Sequence, residues 1–179
     1  MSDLQETAAD VADDLSKSDV VVRTRPAVHR QVKRRVDVEH VTLDAVREGF
    51  AEMGWTYDRH LYFDPEAVAA RAAELAATYR ESEGRLVVSH DEVCDRLHDS
   101  EEEERQRVSG WNGGDFLDTV VDAFAERGWH TEVHDRQRVY QFPLYRVFEE
   151  NHPNGRGGRS TAELFGDYVS TSMETLAEE

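Results

Sequence analysis

Lysine is almost absent from this chain. Lys17 and Lys33 are the only two, so 21 basic residues less 2 leaves 19 arginines. Cysteine is scarcer still: Cys94 stands alone, which excludes an intrachain disulfide. No apolar run approaches the length needed to cross a bilayer. The opening "MSDLQETAADVADDLSKS" is acidic and lacks the basic and apolar regions of a secretory leader. Together these predict a soluble, cytoplasmic protein with no membrane contact. No nucleophile elbow, phosphate-binding loop or pair of catalytic carboxylates is recognisable. "GRGGR" is too short for a nucleotide loop and follows no strand. The expectation is a non-enzymatic protein without a cofactor.

What is abundant is negative charge. Asp and Glu number 38, and the formal net charge is −17 over 179 residues. Hydrophobic residues make up 39%, enough for a core but not a generous one. An acid surplus with almost no lysine resembles the proteins of salt-in halophilic archaea. The resemblance implies a surface whose self-repulsion is screened in molar salt and loosens the fold in dilute buffer. An ordinary acidic cytosolic protein is the plainer alternative.

The hydrophobic pattern repeats. Leu4, Ala8, Val11 and Leu15 make the stripe of a first helix. Val20, Val21 and Val22 favour a short strand. Pro26 suits the first turn of a helix carrying Val28, Val32 and Val36. Thr42 is placed to cap a helix with Leu43, Val46, Phe50 and Met53 buried and Gly54 as its stop. "WTYDRHLYF" predicts two strands around Asp58-Arg59. Asp64-Pro65 then opens another helix, "RLVVS" another strand, and "HDEVCDRLHDSEEEERQRV" one helix or a broken pair. A helix burying Phe116, Leu117, Val120 and Phe124 and a hairpin around "DRQ" complete the second round. "GFAEMGW" at 49–55 returns as "AFAERGW" at 123–129.

Helix, strand, helix, helix and a two-stranded wing is the element order of the winged-helix domain. On that order and the shared heptapeptide, the chain resembles two such domains in tandem. The expected class is mainly α with short β-hairpins (α+β). The first winged-helix-like domain covers 1–64 and the second 65–150, with a linker at 151–160 and a C-terminal helix at 161–179. Phe50 and Phe124 would be matching anchors, and Trp55 and Trp129 matching first residues of each wing. One mixed helical domain with two hairpins is the alternative. The C-terminal helix, with Leu164, Phe165, Tyr168, Val169, Met173 and Leu176, would pack back or reach a protein partner or a second copy.

Against the acid background one basic cluster stands out: Arg23, Arg25, His29, Arg30, Lys33, Arg34 and Arg35. Arg30, Lys33 and Arg34 share one side of the helix beginning at Pro26, away from its valines. Such a face suits phosphates, and the wings add Arg59, His60, Arg136 and Arg138. A solvated face paired with acidic neighbours is the competing reading. The helices before the wings expose Asp44, Glu48 and Glu52, and Asp118, Asp122 and Glu126, which repel phosphate. The run Glu101–Glu104 adds to the second domain's acidity.

His90, Cys94 and His98 fall at i, i+4 and i+8. Three ligands over two turns span too far for one tetrahedral centre without a further donor such as His134 or His152. The plainer reading makes Cys94 a small buried residue and His90 a helix-entry residue. The residues together predict a DNA-associated protein of transcription control, replication or chromosome maintenance. The alternative is an acidic adaptor of the kind found as tandem winged-helix subunits, binding protein rather than DNA.

Overall fold

Residues 2–98 and 108–151 are described by the structure, a computed structural model. The expected linker from 152 onward, the C-terminal helix at 161–179 and the Glu101–Glu104 run lie outside the described residues. The class is α+β, with two small antiparallel sheets of three strands each.

The first half runs α1 (Asp3–Lys17), β1 (Val22–Thr24), α2 (Arg25–Lys33), α3 (Leu43–Glu52), β2 (Thr56–Asp58) and β3 (Leu61–Phe63). Ser2 starts α1 by accepting the Gln5 N–H at 3.2 Å, and Leu4, Ala8, Val11, Ala12 and Leu15 are its buried face. Pro26 sits in the first turn of α2, where its missing N–H costs nothing. That helix stops at Lys33, short of Val36, which is only half-buried.

The second half repeats the order. It runs α4 (Pro65–Ala77), continued by a π turn at Thr78–Ser82, then β4 (Val87–Ser89) and α5 (His90–Leu97). A 3-10 turn (Ser109–Asn112), α6 (Gly114–Glu126), β5 (His130–His134) and β6 (Gln137–Gln141) follow, and α7 (Leu144–Asn151) ends the described chain. Asn151, expected to open the linker, is thus the last residue of α7. The strand orders match: β1-β3-β2 in one sheet and β4-β6-β5 in the other. Arg23 and Tyr57 flank Tyr62 in the first, as Val88 and Thr131 flank Tyr140 in the second.

The repeated heptapeptide is a helix stop. Gly54 and Gly128 take φ of 85° and 92°, which a side chain would resist. The Trp55 N–H donates to the Phe50 carbonyl and the Trp129 N–H to the Phe124 carbonyl, each at 3.0 Å. The Gly54 and Gly128 N–H groups donate to Ala51 and Ala125 at 3.1 and 3.0 Å. This pair of bonds is the Schellman arrangement, which brings the residue after the glycine against the helix's last apolar position. Phe50 and Trp55 meet edge-on at 5.5 Å, and Phe124 and Trp129 at 5.6 Å. All four rings are buried. The tryptophans close the helix ends, and the strands begin one residue later. Met53, placed on the buried stripe by its spacing, is 41% exposed because the stop swings it outward.

Each hairpin turns on two residues with positive φ: Arg59 and His60 at 48° and 68°, Asp135 and Arg136 at 49° and 66°. Pairing of Asp58 with Leu61 therefore moves the first tip one residue beyond the expected Asp58-Arg59.

Two buried clusters form, and they do not divide at residue 64. One joins α1, α2 and α3 to Trp55 and Tyr62. The other joins the second half to Val21, Val22, Leu61 and Phe63. Strand β3 is accordingly buried on both faces. Phe63 packs edge-on against Phe116 at 5.6 Å, and Phe116 against Trp111 at 5.3 Å. The first wing tip is clasped as well: Gly110 N–H donates to the Arg59 carbonyl at 3.1 Å, and Asp115 N–H to Asp58 Oδ2 at 2.8 Å. Asp64 follows β3 directly and caps α4 through the Ala67 N–H at 3.3 Å. In the second sheet the same outer face is different. Gln141 stands where Phe63 does, Val139 where Leu61 does, and Val87, at the place of Val22, is 53% exposed.

Candidate nucleic-acid interface

The basic residues of α2 divide by their partners. Arg35 pairs with Asp14 at 2.7 Å. Arg23, on β1, donates to Gln31 Oε1 at 3.2 Å. Arg30 is exposed and engaged. Arg25, Lys33 and Arg34 make no ion pair among the described residues, although the chain carries 38 carboxylates. Elsewhere arginines do find them: Arg85 with Glu92 at 2.6 Å and Arg96 with Glu83 at 2.8 Å.

The start of α2 is bonded to the tip of the first hairpin, and that tip to the segment that faces the second hairpin across a cavity. The Arg25 N–H donates to the His60 carbonyl at 2.8 Å, so α2 starts against the first wing tip. The neighbouring Arg59 carbonyl holds Gly110, and the Arg59 side chain lies against Gly113 and Gly114. Asn112, within the same short segment, lines a cavity with Arg136 and Arg138 of the second wing. Segment 110–114 thus has Arg59 against it on one side and the second-wing arginines across a cavity from Asn112. Lys33 and Arg34 lie at the far end of α2, about two turns from Arg25.

One cation escaped the sequence reading. Arg47 lies over the Tyr57 ring at 5.5 Å, and Tyr57 packs on Tyr62 at 4.7 Å. The Tyr62 hydroxyl meets His29 Nε2 at 2.9 Å. Burial holds the His29 pKa below its ordinary value, and the Arg25 charge lowers it further. Arg47 is flanked on exposed α3 by Asp44 and Glu48, so local charge counting conceals it. The signal was that it is the helix's only cation.

A buried histidine meets a tyrosine in the second half also. His90 Nδ1 lies 2.7 Å from the Tyr140 hydroxyl, and Nε2 lies 2.5 Å from the Trp111 carbonyl. The carbonyl can only accept, so Nε2 carries hydrogen and Nδ1 accepts from Tyr140. Cys94 Sγ sits 3.2 Å from Nε2 and is wholly buried. His98 instead meets Trp111 edge-on at 5.5 Å. The three candidate ligands therefore do not converge: both His90 nitrogens are occupied and His98 faces an indole. Among the described residues no group of three His, Cys, Asp or Glu is spaced to hold a metal.

The carboxylates expected in front of the wings are where the spacing put them. Asp44, Glu48 and Glu52 on α3, and Asp118, Asp122 and Glu126 on α6, are exposed. Comparison of the chain with protein-family models, with curated proteins and with solved structures finds no match in any of the three.

Proposed function

We propose that this chain is a pair of winged-helix units, 1–64 and 65–150, that associates with DNA through backbone phosphates and catalyses no reaction. The observation that carries the reading is the set of cations without carboxylate partners. Arg25, Lys33, Arg34, Arg59, Arg136 and Arg138 make no ion pair among the described residues of a strongly acidic chain, and segment 110–114 is bonded to the first hairpin tip and shares a cavity with Arg136 and Arg138. A cation left without an internal partner is available to an external anion, and releasing counterions from phosphates drives such binding. The exposed carboxylates of α3 and α6 disfavour insertion of either helix into a groove. Backbone contact without base reading fits both facts.

The test is replacement of Arg25, Lys33 and Arg34 by glutamine, which removes charge and keeps helix propensity. Binding to unrelated duplexes should weaken uniformly, and the slope of log affinity against log salt should flatten by roughly one unit per lost contact. Unchanged binding, or no binding by the folded parent, would transfer the assignment to the second reading. That reading is an adaptor for a basic protein surface, and the carboxylate rows on α3 and α6 favour it. A partner gripping those rows would be lost on Asp118→Asn with Asp122→Asn, which leaves the cations untouched.

A further inference from the structure

The two wings differ in length, and the difference makes a cavity. Strands β2 and β3 have three residues each, whereas β5 and β6 have five. Two extra residues carry the second tip roughly 7 Å farther out at about 3.4 Å per residue. In the first half the tip closes down on α2 through the bond from Arg25 to His60. In the second half, space of about 140 Å³ remains at the entry to α5, bounded by Ser89, Asp91, Asn112, Arg136, Gln137 and Arg138. That is about four or five water volumes, and well below the roughly 300 Å³ where whole-ligand pockets begin.

The lining sets two cations against one carboxylate. Arg136 and Arg138 bring guanidinium groups that make no ion pair among the described residues. Gln137 and Asn112 add amides, and Ser89 a hydroxyl whose oxygen already accepts the Glu92 N–H at 3.2 Å. Asp91 is the opposing charge, and it carries an interaction of its own. Two arginines and two amides give a surplus of donors around a space with room for one tetrahedral oxyanion and a few hydrating waters. A phosphate monoester offers nearly two negative charges to two guanidiniums, whereas an internal phosphodiester offers one and brings a sugar on either side.

We infer that the cavity beneath the second wing is a binding site for a single phosphate monoester group. Free phosphate and the 5′-phosphate of a nucleic-acid end present the same chemistry to the site. Arg136 and Arg138 also belong to the cation set proposed to contact DNA, but the site uses none of the cations of α2, so loss of duplex binding on replacing Arg25, Lys33 and Arg34 leaves it standing.

Inorganic phosphate is the first probe, titrated to millimolar levels at constant chloride with the full chain labelled for ¹⁵N NMR. Saturable shifts at Asn112, Gln137 and Arg138 are expected. Arg138→Gln should weaken the affinity about tenfold, the effect of one lost charge-assisted contact. Arg127→Gln removes an exposed arginine outside the cavity and should leave it unchanged. The second probe is one oligonucleotide with a 5′-phosphate or a 5′-hydroxyl. Discrimination that disappears in Arg138→Gln identifies a nucleic-acid end as the source, and saturable phosphate binding without it identifies a free anion. Shifts that spread over the surface and respond equally to Arg127→Gln and Arg138→Gln would overturn the site, as would no saturable shift in the folded protein.

Discussion

Gly49 and Ala123 occupy the same place in the repeated heptapeptide, and the difference between them is a packing difference. A Cβ on Gly49 would run into the Gln5 carbonyl and lie 2.7 Å from the Ala8 Cβ, so α3 meets α1 at glycine distance. Ala123, at the matching place, is buried with its Cβ in the core. Gly49→Ala should gain up to about 1 kcal/mol of helix propensity. It should lose about 1–3 kcal/mol to overpacking, because the obstacle is backbone and cannot rotate away. The expected outcome is a lower midpoint in denaturant with little change in slope, and a midpoint above the parent's would contradict the close approach. Much at this scale was legible: Phe50, Phe124 and the two stop glycines stood out by spacing alone. Met53 did not, because a Schellman stop changes the direction of the residue beside it while leaving the 3.6-residue count intact. Arg47 did not either, since its value lies in the Tyr57 ring beneath it and the distance from any ion pair, neither of which spacing encodes.

At the scale of elements, the β2–β3 hairpin serves as a clasp between the halves. Helix α6 starts at Gly114 with Gly113 before it, and neither offers a capping side chain. The cap comes from 57 residues away, where the Asp58 carboxylate accepts the Asp115 N–H. The negative charge also suits the positive end of the helix. Asp58→Ala should therefore cost about 0.5–2 kcal/mol, and Asp58→Asn much less, because asparagine caps comparably. Amide exchange should speed up at Asp115 and Phe116 in Asp58→Ala; protection equal to the parent's would show that the clasp contributes nothing. The order of elements was readable because each helix and strand carries its own period and its own stop. The clasp was not, because the sequence marks Gly113-Gly114 only as a turn and says nothing about which distant carboxylate fills it. The same limit applies to β3. Both its faces are buried, Tyr62 by the first helices and Phe63 by the second half, and three adjacent apolar residues do not say which elements cover them.

The whole molecule joins a shared core to a surface of high negative charge. The second cluster extends across the first sheet, so the halves are coupled by apolar contact. The corresponding face of the second sheet carries Gln141 and Val87, and Val87 is exposed among the described residues. Holding this core together must overcome the repulsion of a −17 surface. Part of that repulsion is offset locally, by pairs such as Arg85 with Glu92, but the rows on α3 and α6 have few cations near them. Between about 0.1 and 1 M salt the screening length falls from roughly 10 Å to 3 Å, which is less than one helical turn. The melting temperature should therefore climb steeply with KCl up to about 1 M and more gently to about 3 M, where screening is nearly complete. Sucrose, which favours compact states by exclusion without screening charge, should not reproduce the early steep rise. If KCl has no effect below about 1 M, or sucrose matches it there, the acid surplus is not what limits stability, and the resemblance to salt-adapted proteins loses its physical basis.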